Sequence, residues 1–326
     1  MNIYDIAEAA GVSIATVSRV LSGSDKVSEK TRKRVEAIIE QNSFVPNPFA
    51  RGLGLGSLKL VGLLCTDISD IFYAAAVSKA EKLLKQYEFG TLLCCTGNTL
   101  AGIKQGVDIL LGKKVDAIIL IGTALLVGDD HSHFKEAAKH CPLFGTNMHL
   151  DTPNFYGVLL EQKQAMYDNV MLLQKAGCRK IAYFYDGVTP SHRDKLDGYL
   201  AAIKERDDAL IVRVAGKDPD IAFWAAKDLF AKHQVDGILA SEDVLAVGAM
   251  RAMNLTGRTV PAIGFNNSIL ARCATPALSS VDCMPDSLAS LVVGQLVDVL
   301  ANKDVPRKIS LACHLVERDT FQMRSE

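Results

Sequence analysis

"ARGLGLGSLKLVGLL", residues 50–64, decides how this chain divides. Glycines at 52, 54 and 56 run straight into an apolar segment. A phosphate-cradling glycine loop follows a strand and opens a helix, so that backbone N–H groups face the anion. Here the order is reversed, with the glycines ahead of the first strand-like run. They read as a linker between two different units.

Upstream of the linker the text is helical. Ile3, Ile6 and Ala10 share one face, Gly11-Val12-Ser13 interrupts, and "IATVSRVLSG" (14–23) follows. Ser13 is an N-cap for that second helix and Gly23 a stop. A third helix is expected from about Ser28, with Val35, Ile38 and Ile39 inward, ending before "NSFVPNP". Short helices with a glycine-containing turn between the first two form the helix-turn-helix pattern.

Downstream, short apolar runs alternate with amphipathic stretches. "LVGLLC", "GTLLCC", "DAIILIG", "CPLFGTN", "KIAYFY", "LIVRVAG", "DGILAS" and "PAIGF" read as strands; 73–88, 102–112, 162–176, 193–206, 219–233 and 286–302 read as helices. Continuous apolar strands between helices indicate parallel sheets covered on both faces. The strands are too many for one small sheet and divide near 150–160, where "HLDTPNFYG" breaks the rhythm. The expected fold is an all-α helix-turn-helix DNA-binding domain over 1–46, a hinge over 47–58, and an α/β core over 59–326. That core holds two doubly wound parallel sheets, in lobes 59–158 plus 285–305 and 159–284 plus 306–326. Ligands of such sheets bind at the carboxyl ends of strands, here in the cleft between lobes.

Bulk properties constrain less. The 326 residues are 49% hydrophobic and 22% charged, with net charge −1. Residues 1–60 carry eight Lys/Arg against six Asp/Glu, and the remainder 28 against 31, so a DNA-binding reading rests on motif rather than charge. "MNIYDIAEAAGVS" lacks the basic and apolar regions of a secretory signal, and no apolar run reaches the roughly 18–20 residues that span a bilayer. A cytoplasmic protein without membrane contact is expected. Eight scattered cysteines without a CxxC pair fit a reducing compartment.

The N-terminal text "IYDIAEAAGVSIATVSRVLSG…VSEKTRKRVEAIIEQNSFVPNPFARGL" closely resembles the DNA-binding segment of the LacI/GalR transcription regulators. "DISDIFYA", "KKVDAIIL", "DGYLAAI", "EDVLAVGAMRAM", "IGFNNS" and "TPALSSVD" match, in order, that family's periplasmic-binding-protein-like effector core. "DISDIFYA" and "KLDGY" are similar to the branch containing catabolite control protein A. The resemblance implies a homodimer on a pseudo-palindromic DNA operator, acting as a repressor of carbohydrate-related genes. Ile14 and Ala15 then stand where base edges are read, able to touch a thymine methyl but not to donate hydrogen bonds. Arg19 is the polar base reader; Tyr4, Ser13, Thr16 and Ser18 match phosphate-contacting positions. Asn47, Ala50 and Leu53 fall in the DNA-contacting hinge, with Leu53 at the position that wedges into the minor groove. Glycines around it, each costing about 0.5–1 kcal/mol in a helix, make that hinge dependent on DNA and dimer contacts.

For the cleft, the resemblance implies a small sugar or sugar derivative held by Phe72, Tyr73, Lys195, Glu242, Asp243 and Asn266. Lys195 stands where sugar-binding relatives carry Arg, Asn266 where they carry Asp, and Glu242 where an Asn is frequent. Lysine lacks the planar fork that arginine offers to vicinal hydroxyls. Lys195 also resembles catabolite control protein A, so a second expectation is control by a serine-phosphorylated HPr-like protein.

Other chemistries find little purchase. Asp129, Asp130, His131 and His133 could hold a metal, yet the acids sit where a helix N-terminus favours them and no second ligand pair stands nearby. Asp186, His192 and Ser191 lack a GxSxG elbow, and Ser191 reads as a helix cap. No cofactor, metal or catalytic residue is expected. A periplasmic-type solute binder would share the core but not the helix-turn-helix, and a small α/β enzyme should show a nucleophile or acid/base pair in motif context.

Overall fold

A computed structural model of the chain describes residues 2–21, 24–42, 57–203 and 209–322. Asn47, Ala50, Leu53 and the linker glycines lie outside the described residues, as does the expected helix stop at Gly23.

The N-terminal unit holds α1 (Ile3–Ala10), α2 (Ile14–Leu21) and α3 (Glu29–Gln41). Local chemistry fixes their ends. Asn2 accepts from the N–H groups of Tyr4 and Asp5 while Asp5 accepts from Asn2, a reciprocal capping box. α1 stops at Gly11, whose φ of 59° is the left-handed turn that favours glycine. Thr16 N–H donates to Ser13 Oγ at 3.2 Å, so Ser13 caps as expected, and Thr31 N–H donates to Ser28 Oγ at 3.3 Å in the same way. Ile6, Ala7 and Ala10 of α1 meet Val17 and Val20 of α2 and Val35 of α3 in one small core, with Ile38 and Ile39 packed beside it.

The larger unit is two α/β lobes. The first contains β1 (Leu60–Cys65), α4 (Ile71–Gln86), β2 (Gly90–Cys95), α5 (Leu100–Gly112), β3 (Ala117–Ile121), α6 (Ser132–Ala137), β4 (Leu143–Thr146) and β5 (Phe155–Leu160). The second contains α7 (Gln162–Lys175), β6 (Ile181–Tyr185), α8 (Pro190–Ala202), β7 (Leu210–Arg213), α9 (Pro219–Lys232), β8 (Gly237–Ala240), α10 (Asp243–Asn254), β9 (Ala262–Phe265), α11 (Ile269–Cys273) and β10 (Ser279–Asp282). The chain then returns to the first lobe as α12 (Pro285–Leu300) and β11 (Lys308–Leu311), and ends in the second as β12 (His314–Val316).

The sheet orders are β11-β5-β4-β3-β1-β2 and β12-β10-β9-β8-β6-β7. Every pairing from β11 through to β1 is parallel, and in the second sheet only β12 runs antiparallel, against β10. Fully apolar strands such as β3, buried along its whole length, sit between helices on both faces.

Two expectations need correction. The 150–160 stretch is not a break: after the turn at Thr152–Asn154 it carries β5, a central strand paired on both sides. Lys308–Leu311, expected in the second lobe, pairs in parallel with β5 in the first. An edge strand that alternates exposed and half-buried residues lacks the continuous apolar run of its neighbours.

Candidate functional site

On α2, Val17 and Val20 turn inward, so 3.6-residue periodicity leaves Ile14, Ala15, Ser18 and Arg19 exposed on the outer face. Ile14 is 41% exposed and Tyr4, on α1, 66%. Ser13 and Thr16 share a 2.9 Å hydroxyl hydrogen bond at the start of α2, where backbone N–H groups also point outward. Six of the seven described candidates thus lie on α2 and its preceding turn, with Tyr4 on α1.

The second site lies where the theory of doubly wound sheets places it, beyond the carboxyl ends of β1, β6, β8 and β9. A cavity of about 1060 Å³ opens between the lobes. Phe72 and Tyr73 begin α4 on one wall, with Asp70 capping that helix through the N–H groups of Phe72 (2.9 Å) and Tyr73 (3.1 Å). Tyr73 packs flat over Gly122, where a Cβ would come within 2.2 Å of the ring, so this glycine is required by the close approach. Burial pushes the Tyr73 phenol well above its ordinary range.

Asn266 follows β9 with φ 94°, a left-handed position that asparagine tolerates better than most residues. Its amide donates to Glu242 Oε2 at 2.6 Å. Asp243, 2% exposed, accepts from Ser280 Oγ at 2.5 Å and from Ser268 N–H at 2.6 Å. Burial raises its carboxyl from 3.8 to about 6 against the pull of those hydrogen bonds.

Lys195 behaves differently from the expectation that it meets the ligand. It is 1% exposed and does not line the cavity. Its ammonium donates to the Ser241 carbonyl at 2.8 Å and sits 4.2 Å from the centre of the Phe265 ring, with Glu242 at 4.0 Å. It supports the floor from beneath.

A different lysine faces the cavity. Lys217, in the loop after β7, reaches Asp70 of the first lobe at 2.6 Å and Glu242 of its own lobe at 3.3 Å. Burial opposes its charge, but Glu242 and Asp70 outweigh it and hold the ammonium well above the ordinary lysine range. The chain missed by sequence reasoning continues with Thr123, which donates across the cleft to Thr189 at 3.2 Å. Thr189 meets His192 Nδ1 at 2.7 Å, and His192 Nε2 meets Asp186 at 3.0 Å. Burial raises the Asp186 carboxyl, yet His192, Lys217 and Lys195 together bring it below its usual value. Ser191 does not cap α8; it donates to Gln162 at 2.7 Å, and the hydroxyl against His192 is that of Thr189.

Candidate ligand atoms of Asp186, His192 and Glu242 lie within 4.8 Å of one another. Each is already bonded within the protein, and two ammonium groups stand beside them, so the cluster is a hydrogen-bonded polar wall. Asp129, Asp130, His131 and His133 form no such grouping among the described residues; Asp130 pairs with Lys104 and accepts from Ser132 N–H. No described helix is long and apolar enough to cross a membrane.

Comparison with known proteins gives the family. Residues 2–47 match the family described as bacterial regulatory proteins, lacI family, and residues 170–321 match a periplasmic binding protein-like domain. An HTH-type transcriptional regulator of Lachnoclostridium phytofermentans is 36% identical over 98% of this chain and 99% of its own length. Catabolite control protein A of Priestia megaterium is 28% identical over 97% of this chain and 98% of its own. The fold is that of the lac repressor dimer bound to operator and the anti-inducer ONPF, with a TM-score of 0.87 over 98% of each chain at 22% identity. The chain belongs to the lacI family of bacterial regulatory proteins and is a helix-turn-helix, DNA-binding transcriptional regulator.

Proposed function

We propose that this regulator is a homodimeric repressor of carbohydrate-related genes, and that an uncharged sugar-like metabolite held between its lobes sets its operator affinity. One observation carries the ligand reading: the two walls of the cavity meet through polar side chains that hydroxyl groups satisfy, beside the half-buried rings of Phe72 and Tyr73. Its volume, about 1060 Å³, is at the upper end of small-molecule sites, roughly 300–1,000 Å³. Asp67, Asp70, Asp186, Glu242, Asp282 and Asp286 line it against Lys217 and Arg272. An excess of carboxylates accepts hydrogen bonds from hydroxyls and repels phosphate, so neutral sugars fit better than sugar phosphates.

On the DNA side, Arg19 reads a guanine edge while Ile14 and Ala15 meet thymine methyls, and Tyr4, Ser13, Thr16 and Ser18 hold phosphates. The second reading, in which serine-phosphorylated HPr drives DNA binding, rests on the departures at Lys195 and Asn266 from the sugar-binding pattern, and Lys195 is buried rather than facing the cavity.

Anisotropy of a labelled operator, selected by the full chain from random sequence, tests both halves. Neutral mono- and disaccharides are expected to shift its affinity, with glucose 6-phosphate and serine-phosphorylated HPr inert. A shift only with the phosphoprotein overturns the ligand reading; failure to select any sequence overturns the α2 reading.

A further inference from the structure

Three segments join the lobes: residues 161–162 after β5, 283–284 after β10, and 312–313 after β11. They lie together. Glu161 N–H donates to the Leu311 carbonyl at 2.9 Å, and Gln162 Nε2 approaches Cys283 Sγ at 3.8 Å. Two of the three crossings carry a cysteine, Cys283 and Cys313, and both thiols are free.

The register brings those two residues face to face. β10 and β12 pair antiparallel as Ser280 with Val316, Val281 with Leu315 and Asp282 with His314. The ladder ends there, and its register continued by one step sets Cys283 opposite Cys313. Residues directly opposed in an antiparallel pair have Cα atoms roughly 4.5–5.5 Å apart, inside the roughly 4.4–6.8 Å that a disulfide spans. The two thiols are near enough for each to shift the other's ionisation, Cys283 upward and Cys313 downward.

We infer that Cys283 and Cys313 form a reversible disulfide on exposure to a peroxide, covalently tying together two of the three strands that connect the lobes.

The two sulfurs differ as the chemistry needs. Cys283 is fully buried, whereas Cys313 is partly buried at the edge of the same core and is the more accessible of the two. The neighbouring Cys283 draws the Cys313 thiol below its ordinary range, against burial, with help from the Lys195 ammonium. The Cys313 thiolate attacks one oxygen of hydrogen peroxide; the O–O bond breaks, hydroxide leaves and takes up a proton, and Cys313 becomes a sulfenic acid. The Cys283 sulfur, losing its proton, attacks the Cys313 sulfur. The S–S bond forms, the S–O bond breaks, and the departing hydroxide leaves as water. In sum two thiols and one hydrogen peroxide give one disulfide and two waters.

A second thiol pair supplies an internal control. Cys65 and Cys95, on the adjacent strands β1 and β2, lie 3.8 Å apart, but burial pushes the Cys65 thiol up to about 12, and neither residue lies on a crossing.

The test uses the full wild-type chain, exposed to hydrogen peroxide, then alkylated and mapped without reduction. The expected product is a peptide pair linked through Cys283 and Cys313, two hydrogens lighter than the sum of its parts, released by dithiothreitol and absent from Cys313→Ser. The oxidised chain should also unfold at a higher temperature than the reduced chain, with that difference abolished in Cys313→Ser. Recovery of both residues as alkylated thiols after other cysteines have oxidised would overturn the inference. So would a Cys313 carried on to sulfinic acid beside an intact Cys283, or linkage of Cys65 to Cys95 alone. Because the map is read on the wild-type chain, no variant has to fold for the result to count.

Discussion

The outer face of α2 and the floor of the cleft are built on opposite principles. On α2, the polar groups meet one another within a single turn, as Ser13 and Thr16 do, and the face offers Ile14 and Ala15 to solvent. In the cleft, the two lysines are held by residues far away in sequence: Lys217 by Asp70, 147 positions off, and Lys195 by Ser241, 46 positions off. A surface of the first kind is free to gain from a partner and adds little to stability. A surface of the second kind is already part of the fold, and any ligand there would have to exchange bonds that exist.

Replacing Lys195 by alanine should therefore cost folding before it costs ligand binding. The change empties a buried volume, strips the Ser241 carbonyl of its donor and removes the cation facing Phe265 and Glu242. A loss of about 3–5 kcal/mol is expected in urea unfolding, with Lys195→Met recovering the packing part. An unchanged urea midpoint for Lys195→Ala would mean that the floor is not the stabilising element claimed here.

The next effect is one of pH. Asp243 has its carboxyl raised from 3.8 to about 6, so between those values the native state keeps a proton that the unfolded chain has lost. Its contribution to stability is then highest below about pH 4, falls as pH rises through the window, and levels above 6, by on the order of 3 kcal/mol. Asp243→Asn should flatten that part of the stability profile. A wild-type profile that climbs between pH 4 and 6 through other carboxylates, with no steepening in Asp243→Asn, would count against it.

How far the sequence carries differs between the two regions for the same physical reason. α1, α2 and α3 are written in residues a few positions apart, and Asn2, Ser13 and Ser28 cap within three. Buried strands announce themselves as apolar runs, and β3 and β6 stand where those runs stand. β5 hides behind the turn residues that precede it, and β11 is too alternating and too short to declare its sheet. Lys217 gives no signal at all: it is a lysine in a loop until two sheets fold and bring Asp70 and Glu242 to it. The Asp186–His192 pair is visible as residue types, but its actual links, through Thr189 to Thr123 on the opposite lobe, are settled by topology. Matching by position made Lys195 a ligand contact because it stands where arginine does; burial moves it behind the wall.

For the face of α2 the expected sign is reversed. Arg19→Ala should leave thermal unfolding within about 0.5 kcal/mol of wild type, since the residue is exposed. Operator affinity should fall by about 1–3 kcal/mol, with discrimination relaxed at one base pair per half-site, as read by anisotropy on operators mutated singly. Ser18→Ala should weaken all sequences alike. An Arg19→Ala variant that binds every operator equally less well would demote Arg19 to a phosphate contact.

The smallest effect in stability is the one that separates ligand binding from folding. Lys217 is 38% exposed, and solvent screens its bridges, so Lys217→Met should cost no more than about 1 kcal/mol. Yet it is the cation that neutralises carboxylates from both lobes. Without it Asp70 and Glu242 face the cavity unbalanced, and closed arrangements of the lobes lose their bridge. Solution scattering of Lys217→Met should show a larger radius of gyration at low salt, with the difference shrinking as added salt screens the carboxylates. Asp70→Asn should open the lobes to a similar degree, and the double variant no further than either alone, since both break one bridge. Additive changes in the double variant would mean that each residue acts on the lobes separately. A radius unaltered by either change would place the hold between the lobes elsewhere, with the Thr123–Thr189 hydrogen bond as the remaining polar link across the cleft described here.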